Sequence, residues 1–213
     1  MDSVSDSRER LLGALLFPGF ELLDLFGPLE MFGNCRGQIG VCTVAERGGP
    51  VLSAQGVSAV ARYGFDDSPP LDLLLIPGGE GTREEINNPV LMDWLRSRVP
   101  KAEITMTVCT GTALLARSGL LNGRRATTNK ALFAWVGEQG PEVDWIKQAR
   151  WVEDGEFVTS SGVSAGMDMA LAVIARLMGE QAAEAIALGT EYQWHRDPAW
   201  DPFARAHGLA ARD

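Results

Sequence analysis

Histidine is scarce in this chain. The 213 residues include only two, His195 and His207, both near the C-terminus. That leaves little scope for chemistry built on an imidazole. Cysteine is also sparse: Cys35, Cys42 and Cys109 form an odd set, which excludes a disulfide framework and fits reduced thiols. Positive charge is in deficit, with 19 Lys and Arg against 28 Asp and Glu, a formal net charge of −9. A chain this acidic repels phosphate backbones, so no nucleic-acid partner is expected. No apolar run reaches the ~18 residues of a membrane span, so no membrane partner is expected either. The start, Met1 to Arg10, is polar and mixed in charge, without the basic-then-apolar order of a secretory signal. The expected location is cytoplasmic. Repeats, linkers and low-complexity segments are lacking as well. The expectation is one domain over 1–213, with a disordered or loosely packed start (1–9) and a C-terminal arm (191–213).

What is present is an alternation of short apolar runs and helical patterns. Leu11–Phe17, Val41–Ala45, Leu71–Ile76 and Ile104–Val108 read as strands, the first and third apolar on both faces, as in a buried parallel sheet. Val51–Ala61, broken by Gly56, reads as a hairpin or bent edge strand. Arg125–Thr128 is a short strand, and Asp154-Gly155 marks a hairpin between Ala149–Glu153 and Glu156–Ser160. Helical spacing covers 89–98, 112–118, 132–138, 165–178 and 180–192. Leu22–Phe32 is also helical in spacing. Gly27-Pro28 interrupts it, and because proline suits a helix start the helix proper is placed from Pro28. The fold class is α/β, a sandwich around a largely parallel sheet.

Cys109 follows the strand Ile104–Val108 and precedes Thr110-Gly111-Thr112 and a helix. A residue at such a strand-to-helix turn is exposed above the sheet, and the helix N-terminus favours a thiolate. The alternative is a small buried hydrophobe. Cys35 and Cys42 have no such setting and read as structural. The strand Leu71–Ile76 ends at Pro77-Gly78-Gly79, where the Gly79 amide could join that of Thr110 in an oxyanion-type hole, or simply form a turn. Asp24 lies in the apolar stretch LLDLFGP. It is either a partnered catalytic acid or the cap of the Pro28 helix, and Glu21 nearby is an alternative acid. In the C-terminal stretch EYQWHRDPAWDPF, His195 and Asp197 make a poor ligand set, so no metal is expected. That stretch reads as a packing or dimer-contact arm.

Four ordered segments resemble the DJ-1/PfpI (ThiJ) superfamily: FPGFELLDLFGPLEMF, LLLIPGG, TVCTGTALLARSGLLNGRRATT and SSGVSAGMDMAL. Within it the chain is most similar to the isocyanide (isonitrile) hydratase-like subgroup and the related N-terminal domains of AraC-type regulators. The resemblance implies a flavodoxin-like three-layer sandwich, a homodimer and a nucleophile elbow at Cys109. It puts Asp24 where the hydratase carboxylate meets the thiol. It also puts the backbone of Gly79 and Thr110 around the site and Val163 on the covering loop, with Gly78 and Asn129 as supporting residues. Two departures matter. PfpI-type peptidases carry His directly after the cysteine, where this chain has Thr110. Many relatives read Thr-Thr-His where this chain has Thr127-Thr128-Asn129, and Asn129 can donate a hydrogen bond but cannot act as a base. The implied activity is cofactor-free hydration of a small isocyanide to an N-substituted formamide. The alternatives are a non-catalytic redox or ligand sensor, or a glyoxalase-like activity on 2-oxoaldehydes. The AraC-type relatives carry a separate helix-turn-helix domain, for which the stretch after Glu191 is too short, so a regulator is not expected.

Overall fold

The computed structural model describes residues 8–210. Most of the expected loose start and the last three residues of the expected arm lie outside this range. Arg8 is exposed and ion-paired with Asp72.

Six strands form the main sheet: β1 (Arg10–Leu15), β2 (Ile39–Val44), β5 (Leu73–Ile76), β6 (Ile104–Thr107), β9 (Trp151–Asp154) and β10 (Phe157–Ser160). Their order is β2-β1-β5-β6-β10-β9, all parallel except β9 at the edge. β5 and β6 are buried at every position, which fits an apolar strand covered on both faces. A separate hairpin, β3 (Gly49–Leu52) with β4 (Ser58–Ala61), matches the expected Val51–Ala61 feature. A two-residue pair, β7 (Arg125–Ala126) with β8 (Asp144–Trp145), flanks the sheet. The Asp154-Gly155 hairpin is present, shifted by one residue. Asp154 is still paired with Phe157, and the turn falls on Gly155-Glu156.

Helices flank the sheet in two groups. α1 (Leu22–Gly33), α6 (Ala165–Met178) and α7 (Glu180–Gly189) pack on one another; α2 (Thr82–Glu85), α3 (Pro89–Arg98), α4 (Gly111–Arg117) and α5 (Phe133–Gln139) form the other group. A last short helix, α8 (Pro202–Ala206), closes the described chain. This is an α/β, flavodoxin-like fold with a mostly parallel sheet. No helix among the described residues is long and apolar enough to cross a membrane.

One expected boundary is corrected. α1 starts at Leu22, and Pro28 lies inside it. Proline there removes a single helical N–H, the one that would have reached the carbonyl four residues back. Burial of Leu25, Pro28, Met31 and Phe32 along one face outweighs that loss. Asp24 is therefore in the first turn of the helix and does not cap a later one. The N-cap position is Glu21, whose side chain makes no capping bond.

Strand register places the site. Ile76 pairs with Thr107, and Thr107 with Thr159. Three neighbouring parallel strands thus end at one level. The segments that leave them, 77–79, 108–110 and 161–164, emerge side by side at the carboxyl edge, where open α/β sheets bind ligands.

Candidate active site

Cys109 sits in the turn between β6 and α4, with a φ of 56°. That left-handed conformation is rare outside glycine and is held by its surroundings. The Cys109 N–H donates to the Ser161 carbonyl at 3.0 Å. Its carbonyl accepts from the Thr128 hydroxyl at 2.7 Å and the Thr112 hydroxyl at 3.3 Å. Sequence reading gave these three residues no role, although all three stand in two of the quoted segments.

The expectation that Cys109 is exposed and inclined to ionise is corrected. The residue keeps only 7% exposure. Burial pushes the thiol up to about 12, and the Asp24 charge adds to the rise. Hydrogen bonding from the Thr110 amide, the Val163 amide and the Asn129 side chain works in the opposite direction without overcoming it. Desolvation of an anion outweighs these dipoles. Cys35 and Cys42 are buried free thiols, also pushed up by burial.

Asp24 is fully buried. Its Oδ2 accepts from the Gly78 N–H at 2.9 Å, while Oδ1 has no hydrogen-bond partner of full geometry. Burial raises the carboxyl to about 7. The Gly78 bond lowers it, the Glu21 charge raises it, and hydrogen bonding with the Cys109 thiol lowers it. The thiol and the carboxyl are therefore neighbours that sense each other's protonation. Glu21 itself is turned to Gln55, whose side chain donates to it at 2.7 Å.

Gly78 and Gly79 have no room for a side chain. A Cβ at Gly78 would lie 2.6 Å from the Thr110 nitrogen and 2.8 Å from Asp24 Oδ2. At Gly79, with φ of +127°, it would lie 2.3 Å from the Gly19 carbonyl oxygen. The Gly79 N–H, expected to face the reacting centre, donates instead to the Thr110 hydroxyl at 3.0 Å. The donors that do turn to the sulfur are Thr110, Val163 and Asn129. Val163 has a φ of 38°, a strained value for a β-branched residue. Asn129 is oriented by the Leu132 N–H, which donates to its Oδ1 at 3.1 Å and leaves its NH2 group free to turn toward the sulfur.

Next to these groups is a cavity of about 220 Å³ bounded by Asn129, Val163 and two residues of the C-terminal arm, Phe203 and His207. A cleft of about 280 Å³ between Phe17, Glu46, Phe65 and Glu85 lies elsewhere and shares no residue with the sulfur's surroundings. Lys130, which sequence reading passed over, is buried beside Asn129, and no local signal distinguishes it from a surface lysine.

Comparison with known proteins agrees with this architecture. Residues 13–176 match the DJ-1/PfpI family. The isonitrile hydratase of Pseudomonas putida is 34% identical over 183 residues, covering 85% of this chain and 78% of that protein. The HTH-type transcriptional regulator CdhR of Pseudomonas aeruginosa is 30% identical over 79% of this chain, which spans only 51% of the regulator. The crystal structure of a ThiJ/PfpI family protein from Pseudomonas syringae superposes with a TM-score of 0.82 at 30% identity, over 95% of this chain and 84% of that one. With the family match running from β1 into α6, the chain belongs to the DJ-1/PfpI family.

Proposed function

We propose that this protein hydrates a small isocyanide to an N-substituted formamide, with Cys109 as nucleophile and Asp24 as its acid–base partner. The observation that carries the reading is the pairing of a buried thiol with a buried carboxyl raised to about 7, with amide donors around the sulfur and no imidazole in the set. The likeness to the P. putida isonitrile hydratase supports it.

A thiol pushed up to about 12 does not ionise by itself near neutrality. It needs a base at the moment of attack, and a carboxyl at about 7 is matched to that task. The Asp24 carboxylate takes the thiol proton as the sulfur bonds to the isocyanide carbon, and that carbon receives the proton, giving a thioimidate. Asp24 then takes a proton from water as the oxygen adds to the same carbon, and passes it to the nitrogen. The carbon–sulfur bond breaks, the sulfur recovers a proton, and the formamide leaves. The sum is one isocyanide and one water to one formamide. The amides of Thr110 and Val163 stabilise the sulfur anion as it departs, and Asn129 adds a third donor where relatives carry a base.

The buried, protonated thiol weighs against a peroxide sensor, since oxidation starts from an accessible thiolate. A homodimer accompanies this reading. Leu23 and Phe26 on α1 and Leu52, Val57 and Val60 on the β3–β4 hairpin are exposed apolar side chains. The hairpin abuts the start of α1 through Gln55, which bonds the Leu22 N–H and Glu21. Together they form a face suited to a second copy.

The test is incubation with an isocyanide and detection of the formamide by chromatography and mass. Wild-type protein turns over and Cys109→Ala does not. Absence of formamide from wild-type protein against a panel of alkyl and aryl isocyanides sinks the reading.

A further inference from the structure

The C-terminal arm is fastened beside the sulfur by buried polar bonds. Lys130 and Asp201 form an ion pair at 3.5 Å with side-chain exposures of 1% and 0%. Lys130 also donates to the Thr127 hydroxyl at 2.6 Å and to the Ala149 carbonyl at 2.7 Å. Asp201 accepts from the Phe203 N–H at 2.9 Å, so the same carboxylate starts α8. A few residues earlier, the Arg150 N–H donates to the Pro198 carbonyl at 2.7 Å. A surface arm with no task beyond packing does not require a buried lysine–aspartate pair to hold it, because such a pair carries a desolvation penalty.

This anchorage brings Phe203 and His207 to the 220 Å³ cavity that Asn129 and Val163 also line. Those two residues both turn a donor to the Cys109 sulfur. Phe203 is 54% exposed, so its ring is available to a ligand and is not part of the core. Ala131 adds an apolar wall and Ser164 a hydroxyl. Among the described residues, neither the Ser164 hydroxyl nor the His207 imidazole is engaged in a side-chain hydrogen bond. The cavity thus joins an aromatic face to unengaged polar groups, in a volume suited to one ring with a small substituent.

We infer that the arm is the specificity element of the site. Phe203 and His207 receive the group carried on the substrate's nitrogen, and the cavity selects a single flat ring bearing a hydrogen-bond acceptor. This rests on the reading that Cys109 attacks the adjacent isocyanide carbon. Phe203 packs on the ring, and His207 with Ser164 meets the acceptor. Lys130 and Asp201 are positioning residues, which hold the arm without touching substrate.

The test separates recognition from hydration by using the thiol itself. Iodoacetamide and its N-(4-acetylphenyl) analogue carry the same reacting carbon, without and with a ring that bears a hydrogen-bond acceptor. In each, the sulfur–carbon bond forms as iodide leaves and the thiol proton is lost. Intact-mass kinetics follow alkylation, with Cys109→Ala as the control for Cys35 and Cys42. For wild-type protein the N-(4-acetylphenyl) reagent is expected to outpace iodoacetamide about tenfold more than it does with a free thiol. Phe203→Ala and His207→Ala, both at exposed positions, should each erase most of that ring advantage. Equal effects of either substitution on the two reagents, absence of a ring advantage in wild-type protein, or failure of both reagents to label Cys109 overturns the inference. Formamide production from methyl isocyanide, which lacks the ring, is measured separately. If it is absent while the ring advantage holds, the hydratase reading fails and the recognition pocket stands.

Discussion

Asp24 and Asp168 are both buried with no exposed surface. Both lie in the first turn of a helix, α1 and α6 respectively. Their surroundings differ completely. Asp168 accepts from Arg150 Nε at 2.6 Å, the Tyr192 hydroxyl at 3.0 Å and the His195 N–H at 2.8 Å. Asp24 has one amide and a thiol for company, no cation, and an oxygen lacking a full hydrogen bond. Burial alone therefore says little about role. A buried carboxylate with a cation and its lone pairs filled ties the C-terminal arm to α6. A buried carboxylate left short of partners becomes an acid that can exchange a proton near neutrality.

The contrast can be broken most directly by the same substitution at both positions. Asp24→Asn keeps shape and removes the proton acceptor, so formamide production should fall by ~10²–10⁴-fold, the range of a lost acid–base group. The folded protein should persist by circular dichroism. Asp168→Asn should instead weaken the fold, because it leaves Arg150 buried without its counter-charge, a change worth ~3–5 kcal/mol. Denaturant melts read this directly. If Asp168→Asn is as stable as wild type, or Asp24→Asn as active, the division of roles is wrong.

A pH profile sharpens the comparison. The Asp24 carboxyl titrates at about 7, and the mechanism uses its ionised form. Turnover should therefore fall on the acid side of about 7 and level off above it, and this limb should be missing from any residual activity of Asp24→Asn. A profile flat from pH 5 to 8 in wild-type protein excludes Asp24 as the base.

The smallest expected effect is on stability. The folded-state carboxyl is raised from 3.8 to about 7, so the native state binds the proton more tightly than the unfolded chain. The contribution is fully present at low pH and is lost as pH rises between those values. Asp24→Asn escapes that loss. Relative to wild type its melting temperature should gain ~2–4 °C at pH 8, and the gain should shrink toward pH 5. A difference that grows on acidification contradicts the assignment.

Much of the site could be read in the residues. The apolar run Ile104–Val108 before Cys109, and the Leu71–Gly79 run ending in two glycines, are local patterns. They placed both turns correctly because β5 and β6 are buried on both faces. The same local logic misplaced the start of α1, where a buried face overrides the proline signal. For the Gly79 amide it left an oxyanion-type hole or a plain turn open and the resemblance put it around the site, whereas the neighbouring Thr110 hydroxyl engages it. Lys130, Asp201 and the Arg150–Asp168 pair could not be found this way. Their partners are 18 to 71 residues away in the chain, and charged residues at these positions look like any surface residue until the chain has folded.

By itself the sequence determined the alternation of strands and helices, the tight turn that holds Cys109 and the lack of histidine at positions 110 and 129. All of these follow from periodicity, turn chemistry and residue type within a few positions. Only the tertiary structure decided that the thiol and the Asp24 carboxyl share one buried corner, that burial raises both, and that the C-terminal arm walls the cavity beside Asn129 and Val163. The physical reason is that desolvation and charge pairing depend on what distant parts of the chain bring together, and no local pattern encodes that.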